Sequence, residues 1–282
     1  MSVRVIVLGA GGLVGARLTQ RLVDMKEFSV GPSQKAPISK IVLFDMRDPT
    51  AVPESTRADP RVEIQLGDLT DRATMDKILK VSFGATAPPR GLFFCRAAFS
   101  ALTLPISPQP EAGDEHVTCI HLAALLSGYA EDDFDLGMKV NLHGTINVME
   151  AVRALRDQLG GRPQKYVYVS TDYVACFNEY NRTHPVTEES FRLSPVSYGV
   201  QKACNELLLC DYTRKGFLDG RVGRLSAVIG RPGWSNSISY PYTGIFTQPL
   251  EGKDYEVPLP MDVRFRGRGA SLGVFTNGLP CP

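Results

Sequence analysis

Residues 3–15 read Val3-Arg-Val-Ile-Val-Leu8 and then Gly9-Ala10-Gly11-Gly12-Leu13-Val14-Gly15. The first half is a short, apolar, β-branched run, the pattern of a strand buried on both faces of a parallel sheet. The second half is a glycine turn, and helical sequence follows from Ala16 to Lys26. Strand, glycine turn and helix together open a dinucleotide-binding unit. Each glycine has its own reason there. Gly9 allows the tight turn, Gly12 lets the backbone approach a pyrophosphate, and Gly15 lets the helix pack close to the strand. The phosphates would lie on free N–H groups at the helix N-terminus, around Leu13 and Val14. The spacing is G-x-x-G-x-x-G, a variant of the usual fingerprint, and taken alone it also fits a plain strand-to-helix connection.

Outward from this unit, strand and helix patterns alternate. Strands are expected at Lys40–Phe44, Val62–Leu66, Val117–Leu122, Lys165–Val169 and Arg221–Ile229. Helices are expected from about Thr70 to Val81, from Asp132 to Arg156, and after Ser194-Pro195, where serine would be the N-cap, proline the first helical residue and Gly216 the end. This alternation predicts an α/β fold with a doubly wound parallel sheet, whose ligands bind beyond the carboxyl ends of the strands. Several residues fall at those ends. Asp45 either accepts hydrogen bonds from the ribose hydroxyls of the adenosine half, which favours NAD over NADP, or caps a turn with Arg47 and Asp48. Arg47 could instead bind a 2′-phosphate. Asp68, beside Leu69, either reaches the adenine amino group or caps the next helix. Ala123 and Ala124 either let a cofactor lie across the strand end or serve close packing. Asn141, in mid-helix, needs a partner for its amide, near the site or within the local structure.

The pair with most chemical content is Tyr198 and Lys202. Four residues apart on a helix, they share one face. A phenol normally titrates near 10, and an ammonium one turn away is expected to lower that value and make a general base. The spacing is common on ordinary helices, so its meaning depends on the glycine turn and on Ser170-Thr171 at the end of the preceding strand.

Composition sets the boundaries. The chain has 282 residues, 43% hydrophobic and 22% charged, with a net charge of +1. It can bury a substantial core, and its charge gives no case for nucleic acid as a partner. Its four histidines show no metal-ligand spacing. Six scattered cysteines without a C-x-x-C pair, in a chain without a secretory signal, read as free thiols of a reducing, cytoplasmic compartment. No stretch is apolar and long enough to span a bilayer. Residues 82–115 are rich in Pro, Ala and Gly without a period of 2 or 3.6, and read as a disordered insertion. Residues 267–282 are equally aperiodic. The expected organisation is therefore a cofactor domain at 1–230, followed by a partial substrate lobe at 231–282 with an atypical tail.

Glycine turn, Asp45, Ser170-Thr171-Asp172 and Tyr198-x-x-x-Lys202 occur in the order of the extended short-chain dehydrogenase/reductase family, which this chain resembles. The long stretches 121–137 and 197–220 are similar to the D-erythronate dehydrogenase group within it. The resemblance implies a Rossmann-type fold with a small, truncated C-terminal lobe, NAD as cofactor and a small-molecule substrate. It implies Thr171, Tyr198 and Lys202 as catalytic residues, with Ser127, Thr171 and Tyr198 toward the substrate. Thr171 would bond the reacting hydroxyl, Tyr198 would take its proton, and Lys202 would hold the nicotinamide ribose. The implied reaction turns the 2-hydroxyl of a small sugar acid into a keto group. Alternatives are a nucleotide-sugar epimerase or dehydratase, or a cofactor-binding relative without activity. Related enzymes pair through their long helices, so a homodimer is expected. Three features depart from the family: the insertion, the altered C-terminus and Trp234-Ser235, where Lys-Pro is expected. The first two have the character of a retained intron and an altered exon.

Overall fold

The computed structural model describes residues 2–31, 33–79, 115–175, 184–187, 190–229, 235–237 and 239–255. Most of the expected insertion, Trp234 and the tail at 267–282 lie outside the described residues.

The opening unit folds as its sequence dictates. Strand β1 (Ser2–Leu8) is buried from Val3 to Leu8, and helix α1 (Leu13–Asp24) follows the glycine turn. A short strand β2 (Glu27–Ser29) then pairs antiparallel with the start of a long strand β3 (Lys35–Asp45). Beyond β3 come α2 (Glu54–Arg57), β4 (Val62–Leu66) and α3 (Arg72–Leu79). Strand β5 (Glu115–His121) starts two residues before the run that marks it in the sequence. The helical stretch expected over Asp132–Arg156 is preceded by α4 (Ser127–Asp132) and divides into α5 (Phe134–Gly137), a π-helical turn (Met138–Gly144) and α6 (Thr145–Gln158). Strand β6 (Gln164–Thr171), a 3-10 turn (Asp172–Val174), α7 (Ser197–Arg214), β7 (Leu218–Leu225) and α8 (Tyr240–Leu250) complete the described chain.

The parallel strands lie in the order β4-β3-β1-β5-β6-β7, with β2 paired to the outer part of β3. This is the doubly wound order in which strand sequence reverses at β1 and β5, and the ligand crevice lies outside that reversal. Two apolar layers cover the faces. Ile6, Leu8, Val42 and Phe44 face α3, α6 and α7, while Val3, Val5, Val7, Ile41 and Leu43 face the α1 side. Alternation along β1 and β3 thus feeds both layers, and each fully buried side chain contributes about 1.5–3 kcal/mol.

One element end corrects the sequence reading. Ser194 does not cap the Tyr/Lys helix. Its Oγ bonds Val196, and the helix starts only at Ser197, whose N–H donates to Glu131 Oε2 at 2.9 Å. The other end matches expectation: Gly216, at φ +68°, closes α7 with its N–H on the Thr213 carbonyl.

Candidate active site

The glycine turn is fixed by steric limits. Gly9 has φ +86°, and a Cβ there would lie 2.6 Å from the Ala123 nitrogen. Ala123 in turn donates its N–H to the Leu8 carbonyl, so the ends of β1 and β5 close on one another. A Cβ on Gly15 would lie 2.3 Å from the Gly9 oxygen, so α1 packs as tightly on its strand as the sequence requires. At Gly12 the nearest atom to such a Cβ is 3.5 Å away, and α1 has no side-chain cap. The first-turn N–H groups near Leu13 and Val14 therefore face an open cradle rather than a capping residue.

Asp45 ends β3 at this same turn. Its Oδ2 accepts from the Gly11 N–H at 2.9 Å and its Oδ1 from the Arg47 N–H at 3.4 Å. Asp68 makes a local turn, accepting from the Thr70 N–H at 2.8 Å, while Asp71 takes the N–H groups that start α3. Capping at α3 is thus the work of Asp71. Leu69 is buried against the backbone of Gly144.

Ser170 and Thr171 end β6, and α7 lies across that end. Lys202 is 2% exposed, and its Nζ donates to the Val169 carbonyl at 2.8 Å. The ammonium lies 4.5 Å from the Tyr168 ring centre and 5.6 Å from that of Tyr198. Thr171 Oγ1 accepts from the Tyr173 N–H at 3.3 Å and donates to Asp172 Oδ1 at 3.2 Å. Thr171, Lys202 and Tyr198 are thus drawn to one strand end, at the carboxyl edge that also carries the glycine turn. Ser127 is buried at the start of α4, farther along the same edge.

The electrostatics correct one expectation. Lys202 does not hold the Tyr198 phenol low. Burial, and after it the charge of Asp172, push Tyr198 up to about 12. Burial also pushes Lys202 down to about 7, against the pull of Glu206. Desolvation outweighs the one-turn charge interaction at both groups, and both are driven toward their neutral forms.

Around this pair lies a buried polar scaffold that sequence reasoning largely missed. Asn141, in the π-helical turn, accepts from the Leu125 N–H at 2.7 Å and donates to Gln201 Oε1 at 2.8 Å. Its carbonyl accepts from Asn205 Nδ2 at 2.7 Å. Glu206, 2% exposed, pairs with Arg224 at 2.7 Å and Arg192 at 3.1 Å. Burial opposes its ionisation, yet Arg224, Ser170 and Arg192 hold its carboxyl below the usual glutamate range. His121 Nδ1 and the Tyr166 hydroxyl are hydrogen-bonded at 2.6 Å, and burial, helped by the charge of Lys202, pushes His121 down to about 3. The signal for this scaffold was in α7: Tyr198, Lys202 and Glu206 recur at four-residue spacing, as do Gln201 and Asn205.

Residues 113–253 match the NAD dependent epimerase/dehydratase family. The chain belongs to that family. Its cofactor is NAD, and the open cradle at Gly12 and the carboxylate of Asp45 at the same turn fit a dinucleotide without a 2′-phosphate. The chain is 32% identical over 257 residues to the D-erythronate dehydrogenase of Cupriavidus necator, covering 90% of itself and 64% of that relative. It is 27% identical to the Haemophilus influenzae D-erythronate dehydrogenase, covering 93% of itself and 66% of that protein. Among solved structures, it is similar to a nucleoside-diphosphate-sugar epimerase from Agrobacterium tumefaciens, at 30% identity and a TM-score of 0.66, over 93% of this chain and 64% of that one. The chain thus spans just under two thirds of the length of these family members. Among the described residues no group could hold a metal ion, and no helix is long and apolar enough to cross a membrane.

Proposed function

We propose that this member of the family is an NAD-dependent dehydrogenase of a small sugar acid, oxidising the 2-hydroxyl to a keto group. The observation that carries the reading is the convergence of Thr171, Tyr198 and Lys202 at the end of β6, on the edge that holds the glycine turn. Two relatives with the D-erythronate dehydrogenase name support the substrate class. The cradle residues are Gly9, Gly12, Leu13, Val14 and Gly15, with Asp45 on the adenosine ribose and Asp68, Leu69 and Ala123 lining the way. NAD, when bound, supplies the hydride acceptor.

The remaining work falls to the chain's own side chains. Thr171 Oγ1 bonds the reacting hydroxyl, and Ser127 lies toward the rest of the substrate. Tyr198 takes the hydroxyl proton. Burial pushes its phenol up to about 12, so it is neutral, the form suited to protonating a carbonyl oxygen in the reverse direction. In the oxidative direction, loss of that proton is favoured by the protonated fraction of Lys202, which faces its ring. Residues 1–230 form the cofactor domain in this reading, and 231–282 contribute to the substrate lobe. Two copies pair through α6 and α7, and exposed Val200 and Leu207 on α7 support such a face.

The likeness to a nucleoside-diphosphate-sugar epimerase supports a second reading, in which NAD is used without net consumption. Incubation with NAD separates the two. NADH accumulation with four-carbon sugar acids, and none with UDP- or dTDP-sugars, is the expected result. The opposite pattern, or epimerised nucleotide sugar without NADH, would overturn the proposal.

A further inference from the structure

Beside Lys202, β6 places two rings that the proposed reaction does not use. Side chains two apart on a strand share a face, so Tyr166 and Tyr168 both enter the apolar layer that faces α6 and α7. The rings are fully buried and stacked, with planes 12° apart and centres 6.4 Å apart. His121 of β5 stands edge-on to both. The Tyr168 hydroxyl accepts from Asn205 Nδ2 at 2.9 Å, and that nitrogen also donates to the Asn141 carbonyl. Tyr168 is thus held at its hydroxyl and around its ring. Burial pushes its phenol up, so the ring stays neutral.

The face of this ring meets a buried charge. Lys202 Nζ lies 4.5 Å from the Tyr168 ring centre, against 5.6 Å for Tyr198, and its hydrogen bond goes to the Val169 carbonyl. An ammonium taken out of water tends to lose its charge unless its surroundings are negative. Glu206, on the same helix, favours the charged form, but Arg224 and Arg192 share its carboxylate. Burial keeps His121 and Tyr198 neutral. Asp172, just past β6, acts on Tyr198. Besides the Val169 carbonyl, the group nearest the ammonium is therefore the negative π-face of Tyr168, at a distance where cation–π attraction is strong once water is excluded.

From this face-on contact we infer that Tyr168 is a positioning residue, whose ring holds the Lys202 ammonium beside Tyr198 and favours its charged form. For its catalytic consequence the inference rests on the dehydrogenase reading. Loss of the Tyr198 proton is favoured by the protonated fraction of Lys202, so a group that holds this charge governs kcat. A role in packing alone would depend on the shape of the ring. A role toward the ammonium depends also on the electron density of its face.

The test changes electron density while nearly keeping shape. Tyr168→Phe in the full-length protein is the reference, and phenylalanines with one, two and three ring fluorines are then placed at the same position. Titration of Lys202 is followed by NMR of carbon-13 at the lysine ε-carbons, its signal identified by its loss in Lys202→Met. The midpoint is expected to fall with each fluorine, by about one pH unit over the series. NAD reduction with four-carbon sugar acids at pH 7 should lose about fivefold in kcat along it, the loss of protonated lysine that such a shift implies, with KM and melting temperature little changed. A midpoint that does not move overturns the inference, and so does a kcat that stays flat while the midpoint moves; both leave the dehydrogenase reading intact. A wild type that binds NAD in calorimetry but reduces none with these acids overturns that reading instead, and the titration then decides the inference alone.

Discussion

At the turn after β1 the chain works with its backbone. Gly9 adopts a conformation closed to other residues, Gly15 removes a side chain to admit a helix, and one carboxylate, Asp45, ties the turn to the next strand. At the start of α7 it works with side chains instead. Lysine, glutamate, asparagine and glutamine are buried on one helix face and bonded to partners from β6, β7 and the π-helical turn, with Gln201 Nε2 and Asn205 Oδ1 left over. The first region holds its shape through what is missing, and its donors are left free for a ligand. The second holds its shape through buried polar groups, among which desolvation drives Lys202 toward its neutral form while Arg224 and Arg192 keep Glu206 ionised. A backbone site is specified by a few glycines; a site of buried polar groups is specified only by the whole neighbourhood.

The contrast can be broken at its chemical end first. Tyr198→Phe should lower kcat by about 10²–10⁴, the usual contribution of a general acid or base, while NAD affinity by calorimetry changes little. A mutant that keeps its turnover would remove α7 from the reaction. Next in size is the buried charge cluster. Glu206→Ala removes the buried carboxylate that Arg224 and Arg192 share and should destabilise the fold by about 3 kcal/mol in urea unfolding, with the glycine turn untouched. On the other side of the comparison, Gly9→Ala combines a disfavoured φ with a clash against Ala123, and should lower stability by about 1–3 kcal/mol and weaken NAD binding.

A last test sharpens the contrast through pH. Burial pushes Lys202 from its ordinary value of 10.5 down to about 7 in the fold. Between those values the unfolded chain binds more protons, so stability should rise with pH across this window, by up to about 1.4 kcal/mol per pH unit, and this contribution should be flat below pH 7. Lys202→Met should remove that slope. Identical pH profiles for the two proteins would show that the lysine is not desolvated.

The same contrast explains what the sequence disclosed. The core parallel strands, the glycine turn, Asp45 and the pairing of Tyr198 with Lys202 follow from short-range patterns, namely apolar runs, glycine spacing and one helical turn, while Thr171 was singled out by the family resemblance. The short strand β2 lacks such a pattern, because its three residues pair only through the outer end of β3. The late start of α7 was hidden because Ser194-Pro195 resembles a helix beginning, whereas Glu131 from a distant helix supplies the cap. The charge state of Tyr198 could not be read from its spacing to Lys202. Burial decides it, and burial is set by β6 and the residues packed over it. Asp172 was visible in the sequence, but its bond to Ser226 spans 54 positions.

The π-helical turn at Met138–Gly144 carries a last consequence. A wide turn holds one residue more than the α-helix it interrupts, so deleting one residue there would let the hydrogen bonds close into regular α spacing. Everything before the deletion would then swing by about 100° about the helix axis relative to α6. The amide of Asn141 would leave Leu125, and its carbonyl would leave Asn205. In this helix the number of residues, as much as their identity, is part of the site, and a lost codon there would be felt at α7 without any residue of α7 having changed.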